Sequence, residues 1–204
     1  VTGAEPIVTA GPPLSSSRRW VNATLLPDGR VLATGGATID NMGSADYIGN
    51  YTINNAAEVF DPRTGEWTVE ATGSTVGRMY HSTGLLLADG RVLVAGGGAP
   101  GPEYNLSAEL YTPDYLLNGD GTPVTRPTID TVSATDLTPG QTITLGSTST
   151  SGVSRVTMLK AGAVTHSINM EQRLVELPIR TEAGADGTTA VTATLPVNEN
   201  HLIP

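Results

Sequence analysis

The chain has 204 residues, among them 24 glycines, 14 prolines and a single phenylalanine, and its formal net charge is −9. This composition favours turns and strands, and no window shows the apolar spacing of an amphipathic helix. The negative charge argues against DNA, RNA or an anionic membrane surface as a partner, and no apolar stretch is long enough to span a bilayer. Cysteine is absent, which excludes disulfides and thiolate-bound metals within this chain.

The first part of the chain contains a two-fold internal repeat. Residues 19–36 are echoed by residues 78–97, and residues 57–62 are echoed by residues 108–113. In both copies an Asp-Gly pair lies between two apolar runs, which is a strong signal for a β-hairpin because both turn positions tolerate positive φ. Each copy therefore predicts a strand, an Asp-Gly turn, a second strand, a Gly-Gly pair, a loop and a further strand.

A unit of this kind, with Gly-Gly at a fixed place and a late tryptophan such as Trp67, is typical of a propeller blade. We predict that residues 1–122 form two blades of an incomplete β-propeller. Two blades cannot close a ring, because each blade buries its faces only against its neighbours. We expect the rest of the propeller to come from further sequence or from another chain, and Val1 to lie inside a folded domain rather than at a signal peptide.

The character of the sequence changes near residue 126, after a polar stretch at residues 118–123 that indicates a linker. Residues 126–204 are predicted to form an immunoglobulin-like β-sandwich, so the whole chain is expected to be all-β. The predicted strands of the sandwich cover residues 141–145, 153–159, 165–169, 173–178 and 188–195. Such sandwiches commonly have about seven strands, and we therefore expect this domain to be truncated at its C-terminal end.

Two neighbouring residues at the start of the second hairpin, Tyr80 and His81, are candidate metal ligands. Neighbours along a regular strand point to opposite faces, so both can reach one ion only if the backbone turns there. Considered alone, each of them is more often a packing or surface residue than a ligand, and the same holds for His166. His201 is expected to be an exposed loop residue.

Three further side chains have more than one interpretation. Trp20 holds, in the first copy of the repeat, the place that Tyr80 or His81 holds in the second. We expect Trp20 to pack between blades, with a place in the wall of an axial pocket as the alternative. Arg78 is expected to pair with the backbone between blades rather than with an anionic group near a site, and Trp67 to pack at a blade edge.

Several segments, taken together, resemble one family. Residues 78–82, the Leu-Leu-Leu-Ala-Asp-Gly-Arg-Val hairpin and the run Gly96-Gly97-Gly98 resemble the last blades of the copper radical oxidases, galactose oxidase and glyoxal oxidase. Residues 108–116 and the sandwich segment 153–173 are similar to the same enzymes. The resemblance implies a secreted protein with a kelch-type propeller of seven blades, an immunoglobulin-like early-set domain, and a copper ion on the propeller axis.

Carried over to this chain, the resemblance implies three copper ligands. Tyr80 resembles the axial tyrosine, which would also be the catalytic base, and His81 resembles an equatorial imidazole. His166 resembles the imidazole that a hairpin of the sandwich brings up the channel. The family's fourth ligand, a tyrosine linked to a cysteine that carries a radical, has no counterpart in a chain without cysteine, so we expect that half of the site outside this sequence.

Two hypotheses follow. The first is the C-terminal part of a copper-dependent oxidoreductase that oxidises a primary alcohol of a carbohydrate, or a small aldehyde, with O2 and releases H2O2. Neutral imidazoles suit Cu(II) in a tetragonal set of nitrogen and oxygen ligands, and a phenol is a useful base at neutral pH only when a cation stabilises its phenolate. The alternative, motivated by the absent cysteine, is a non-catalytic propeller and sandwich module that binds glycans or a protein partner.

Overall fold

Short β-strands make up most of the regular structure of the chain. The computed structural model describes residues 7–38, 52–70, 73–99, 104–148, 152–184 and 187–202. Within those ranges the helical elements are two single 3₁₀ turns, Asp114–Leu116 and Glu199–His201, and no helix is long and apolar enough to cross a membrane. The prediction of an all-β fold is confirmed.

The first repeat forms a four-stranded antiparallel sheet, which we call the first blade. Its strands follow one another in space as they do in sequence: β1 (Asn22–Leu25), β2 (Val31–Thr34), β3 (Glu58–Asp61) and β4 (Glu66–Val69). The Asp28-Gly29 pair forms the predicted turn between β1 and β2, where Leu26 N–H donates to the carbonyl of Arg30 at 2.8 Å. Gly29 has a φ of 91°, which explains why glycine is used there.

The second repeat forms a sheet of the same kind, the second blade. Its described strands are β5 (Thr83–Leu86), β6 (Val92–Ala95) and β7 (Ala108–Tyr111), again antiparallel and in chain order. The turn at Asp89-Gly90 repeats the first one, because Leu87 N–H donates to the carbonyl of Arg91 at 2.8 Å and Gly90 has a φ of 86°. The two hairpins therefore lie where the Asp-Gly pairs predict them.

The two blades pack face to face over an apolar core. The first blade contributes Leu26, Leu32 and Val59, and the second contributes Val92 and Val94. All five side chains are at most 4% exposed. Full burial of a side chain of this size stabilises the fold by roughly 1.5–3 kcal/mol, so this small core holds the second blade in a fixed position against the first.

The C-terminal part of the chain consists of a four-stranded sheet, a strand pair and a hairpin. Its strands are β8 (Thr131–Val132), β9 (Thr142–Ser147), β10 (Val156–Lys160), β11 (Ala163–Thr165), β12 (Ile168–Met170), β13 (Arg173–Leu177), β14 (Ile179–Ala183) and β15 (Thr189–Thr194). The sheet has the order β14-β15-β9-β8, while β10 pairs with β13 and β11 with β12. Residues from the sheet and from β13 form a shared core that includes Ile143, Leu145, Leu177, Val191 and Leu195.

One predicted strand of the sandwich is wrong. Residues 165–169 do not run as a single strand but reverse direction at His166 and Ser167, whose φ values are 54° and 63°. A turn made by non-glycine residues at positive φ has no Gly or Pro signal in the sequence. Strand β14 was not predicted either, because its residues after Ile179 are exposed and polar and so lack an apolar alternation.

The hairpin β11–β12 leaves the sandwich and docks on the inner strands of both blades. Asn169 Nδ2 donates to the carbonyl of Gly84 in β5 at 2.8 Å. Gln172 forms two hydrogen bonds to β1, since its Nε2 donates to the carbonyl of Ala23 at 2.9 Å and its Oε1 accepts from Leu25 N–H at 2.6 Å. The tip of the hairpin, which carries His166, is thereby placed beside the turn that precedes β5.

Candidate metal centre

A repeated Arg–Glu network anchors the segment that leads into each blade. In the first blade Arg18 pairs with Glu58, and both side chains are fully buried. In the second blade Arg78 pairs with Glu109 at 2.9 Å and also donates to the carbonyls of Gly96, at 3.1 Å, and Ser107, at 2.8 Å. Arg78 therefore binds the backbone, as expected, but within its own blade and not between blades, and it also pairs with the carboxylate of Glu109, which the sequence analysis did not foresee.

Glu109 is held as an anion by this network. Burial opposes its ionisation, but hydrogen bonds from Ser74 and Thr75, together with that from Arg78, outweigh burial and lower the pKa of Glu109 from 4.5 to about 2. Thr75 donates both its N–H, at 2.8 Å, and its hydroxyl, at 2.6 Å. The segment before Tyr80 is thus fixed by a charged group that stays ionised at any ordinary pH.

The backbone turns at Tyr80-His81, which is the condition under which these two neighbours can both reach one ion. His81 has a φ of 64°, and Ser82 N–H donates to the carbonyl of Met79 at 2.8 Å. As a result the two rings lie on the same side of the chain, with centroids 3.9 Å apart and planes inclined by 32°. A left-handed backbone at a non-glycine residue costs roughly 1–3 kcal/mol and persists only where surrounding contacts enforce it.

The glycine run after β6 supports this turn. Gly98 N–H donates to the carbonyl of Tyr80 at 2.7 Å. Gly97 has a φ of 111°, and a Cβ at that position would lie 2.9 Å from the backbone nitrogen of Met79. The close approach of this glycine run to the segment at Met79 and Tyr80 therefore requires glycine at position 97. The run thus supports the turn before β5 in addition to ending β6.

His166 meets this pair from the sandwich side. Its ring centroid lies 4.6 Å from that of His81, in an edge-to-face arrangement, and 5.5 Å from that of Tyr80. The three residues predicted as ligands are therefore in one place, although His166 belongs to a different part of the chain. His201 lies elsewhere, in the exposed C-terminal 3₁₀ turn, as expected.

The hydrogen bonds of the two imidazoles leave a ring nitrogen for a ligand. The Nδ1 of His81 lies 3.0 Å from the carbonyl oxygen of Ala99. Because a carbonyl can only accept, Nδ1 must carry the proton and Nε2 keeps its lone pair. The Nδ1 of His166 lies 2.6 Å from the hydroxyl of Thr165, and when Nδ1 donates to that oxygen, Nε2 of His166 is free as well.

The donor set fits a copper ion. Two neutral imidazole nitrogens and a phenol oxygen are ligands that Cu(II) accepts. Metal–imidazole bonds are about 2.0–2.1 Å long, so two rings on one ion cannot have centroids more than about 6.5 Å apart, and the observed 4.6 Å satisfies that limit. Within the described residues no three His, Cys, Asp or Glu side chains cluster, and the third candidate donor beside the two imidazoles is the phenol of Tyr80.

Trp20 adds an aromatic wall to the site. Its ring centroid lies 4.6 Å from that of Tyr80, with an interplanar angle of 56°, and its own φ is 61°. Trp20 thus packs between the blades, which was the preferred expectation. Its ring also lies against a candidate ligand, in line with the alternative of a place in the wall of an axial pocket. Trp67 lies at a blade edge, 5.1 Å from the ring of Phe60.

The chain is similar to galactose oxidases, to aldehyde oxidases and to a solved alcohol oxidase. Residues 126–204 match the family model described as galactose oxidase-like, Early set domain. The chain is 32% identical over 170 residues to a galactose oxidase of Gibberella zeae and 29% identical over 189 residues to aldehyde oxidase GLOX1 of Arabidopsis thaliana, covering 82% and 85% of this chain. The resemblance that the sequence motifs indicated is therefore confirmed.

A solved structure supports the same conclusion. The chain is similar to a fungal alcohol oxidase of the AA5 family in complex with copper, with a TM-score of 0.79, 33% sequence identity and coverage of 93% of this chain. The chain spans 24% of the length of the galactose oxidase, 30% of the aldehyde oxidase and 38% of the solved alcohol oxidase.

Proposed function

We propose that this chain is the C-terminal part of a copper radical oxidase that oxidises a primary alcohol or a small aldehyde with O2. The observation that carries the proposal is the convergence of His81, His166 and Tyr80 from two separate parts of the fold. The similarity to a galactose oxidase, an aldehyde oxidase and a copper-bound alcohol oxidase supports the same reaction class. A primary alcohol would give up two electrons and two protons, forming an aldehyde, and O2 would take them up as H2O2.

In this proposal the two imidazoles hold copper through Nε2. The bond from Nδ1 of His81 to Ala99, and that between Nδ1 of His166 and Thr165, fix which nitrogen is available and orient each ring. Copper would accept one electron, and its positive charge would stabilise the oxygen atoms bound to it. We expect the second one-electron acceptor, a tyrosine linked to a cysteine, on sequence outside this chain.

Tyr80 is proposed as the catalytic base. Its phenol oxygen, bound as phenolate, would receive the proton of the substrate hydroxyl, a role that a free phenol fills poorly at neutral pH. Trp20, whose ring lies against that of Tyr80, would keep water away from one side of this oxygen. The substrate would approach from the side on which His81 and His166 are exposed.

We propose that the remaining propeller would lie against the exposed face of the hairpin. Ile168 and Met170 are 57% and 48% exposed, although Asn169 between them is hydrogen-bonded to β5. Further blades that complete the ring would bury these two apolar side chains against the hairpin. We also propose that the whole protein is secreted, in line with the family that the chain resembles.

A copper titration of the full-length protein tests the proposal. The double variant His81→Ala/His166→Ala should lose Cu(II) binding, whereas His201→Ala, which changes a histidine away from the site, should bind as wild type does. Equal copper uptake by the double variant and the wild type would refute the copper site. Release of H2O2 from a panel of sugars, glycerol and aldehydes would then identify the substrate, and copper binding without H2O2 would favour the non-catalytic alternative.

A further inference from the structure

Two serines form a direct contact between the blades and the hairpin, immediately beside the candidate ligands. Ser82 follows His81 in the sequence, and Ser167 follows His166. Both are buried, at 0% and 5% exposure, and their hydroxyl oxygens lie 3.2 Å apart. A buried hydroxyl pair at this place is notable because buried polar groups are retained only where their hydrogen bonds are satisfied.

The surrounding partners fix the direction of every hydrogen bond in this group. Ser167 donates its hydroxyl proton to the carbonyl of Met79 at 3.0 Å. Since that proton is used, the 3.2 Å contact requires Ser82 to donate to Ser167. The oxygen of Ser82 in turn accepts from Asn22 Nδ2 at 2.7 Å. The bonds therefore run in one direction, from Asn22 through Ser82 and Ser167 to Met79, and each hydroxyl both donates and accepts.

This chain of hydrogen bonds touches the neighbour of each of the three candidate ligands. Ser82 adjoins His81, Ser167 adjoins His166, and the carbonyl of Met79 belongs to the peptide unit that enters Tyr80. His81, His166 and Ser167 all have left-handed backbones, with φ values of 64°, 54° and 63°. Such conformations persist in non-glycine residues only where surrounding contacts over-determine them, and the hydroxyl chain supplies contacts on both turns at once.

We propose that Asn22, Ser82 and Ser167 form a latch that sets the position of the His81 ring relative to the His166 ring, so that both can bind one copper ion. The proposal rests on the proposed function, because it assigns these residues a role toward that metal. They are positioning residues, since none of them lies within the candidate ligand set. In a chain of three bonds with a single possible direction, loss of one hydroxyl interrupts the whole connection.

Hydrogen bonds outside the latch hold the hairpin on the blades, so the docking of the hairpin can be tested separately from the latch. The hydrogen bonds of Asn169 and Gln172 go to the backbone of both inner strands and involve neither serine. Removing a serine hydroxyl should therefore leave the hairpin docked while the two turns relax independently. Removing the side-chain amide of Gln172 should have the opposite effect, loosening the docking while the latch stays formed.

The test uses the full-length copper-loaded protein with the variants Ser82→Ala, Ser167→Ala and Ser167→Gly. The controls are Gln172→Ala for docking and Ser147→Ala for loss of a buried serine in the sandwich sheet. The readouts are Cu(II) affinity by competition with a chelator and the EPR spectrum of the bound Cu(II). Loss of a group that orients metal ligands typically weakens metal binding by about 10- to 100-fold.

We expect the three latch variants to weaken Cu(II) binding by that factor and to change the EPR spectrum, while both controls keep the wild-type spectrum. Ser167→Gly distinguishes the effect of losing the hydroxyl from that of backbone strain, because glycine adopts the φ of 63° without strain. Wild-type affinity and spectrum in Ser167→Gly or in Ser82→Ala would overturn the latch. Should Ser167→Ala fail to fold, the other two variants decide the question. Copper binding that survives His81→Ala/His166→Ala would instead refute the copper site itself.

Discussion

Replacing Glu109 by Gln should destabilise the second blade through Arg78. The substitution keeps the shape of the side chain and one acceptor oxygen but removes the charge opposite a guanidinium that has no exposed surface, whereas Glu109 itself is 26% exposed. Breaking a buried ion pair by removing one partner costs about 3–5 kcal/mol. Because the amide oxygen can still accept from Arg78 and Glu109 is partly exposed, we expect the lower end of that range for the loss in free energy of unfolding.

The same substitution should change how stability depends on pH. The pKa of Glu109 is 4.5 in ordinary surroundings and about 2 in the folded chain. A carboxyl group whose pKa is lowered on folding stabilises the native state fully above its unfolded pKa, and this contribution is lost as the pH falls through the folded value. The stability difference between wild type and Glu109→Gln should therefore be largest above pH 4.5 and shrink towards pH 2.

Denaturant unfolding of the full-length protein at a series of pH values measures both effects. Glu176→Gln is a matched control, because Glu176 pairs with Arg155 at 2.8 Å but is 61% exposed. Loss of an exposed pair of this kind changes stability by only about 0.2–1 kcal/mol. If Glu109→Gln costs no more than the control, or if its effect is the same at every pH, the role assigned to the buried pair is wrong.

Three further substitutions test the packing, the turn and the base. Leu32 is fully buried between the blades, so Leu32→Ala should lower the free energy of unfolding by about 2–5 kcal/mol, and an unchanged denaturation midpoint would contradict that packing. Gly97→Ala should push the segment before β5 away from β6 and weaken Cu(II) binding, whereas Gly65→Ala, also at positive φ but with open space around its Cβ, should not. Tyr80→Phe should lower kcat by about 10²- to 10⁴-fold while the two histidines retain copper, and normal turnover would exclude Tyr80 as the base.

The repeat and its turns could be predicted from the sequence because their signals are local. Asp28-Gly29 and Asp89-Gly90 each lie between apolar runs, and each pair lies in the predicted hairpin turn, with the glycine at positive φ. The candidate ligands were found for a different reason, since only the resemblance of whole segments to a family distinguished Tyr80 and His81 from ordinary packing residues. Composition and periodicity alone left that choice open.

The parts of the site that escaped prediction depend on contacts between distant segments. Nothing near His166 marks a reversal of the chain, because the turn there is stabilised by Met79 and Ser82 rather than by glycine or proline. The carbonyl of Ala99, which fixes the tautomer of His81, likewise has no signal in the sequence, because every residue carries a backbone carbonyl. Local propensity is overridden wherever surrounding contacts hold a residue in a backbone conformation that is intrinsically unfavourable for it.

The left-handed residues show why the two parts of the chain have to fold together for a site to exist. Trp20, His81 and His166 all have positive φ, and their rings surround Tyr80 at centroid distances of 4.6, 3.9 and 5.5 Å. A blade without the hairpin would lose the contact of Ser167 with the turn before β5, and a hairpin without the blade would lose the contacts that Met79 and Ser82 make with its tip. Part of the strain at each turn is therefore sustained by the other part of the fold, and the two imidazoles come together only when the hairpin tip meets the turn before β5.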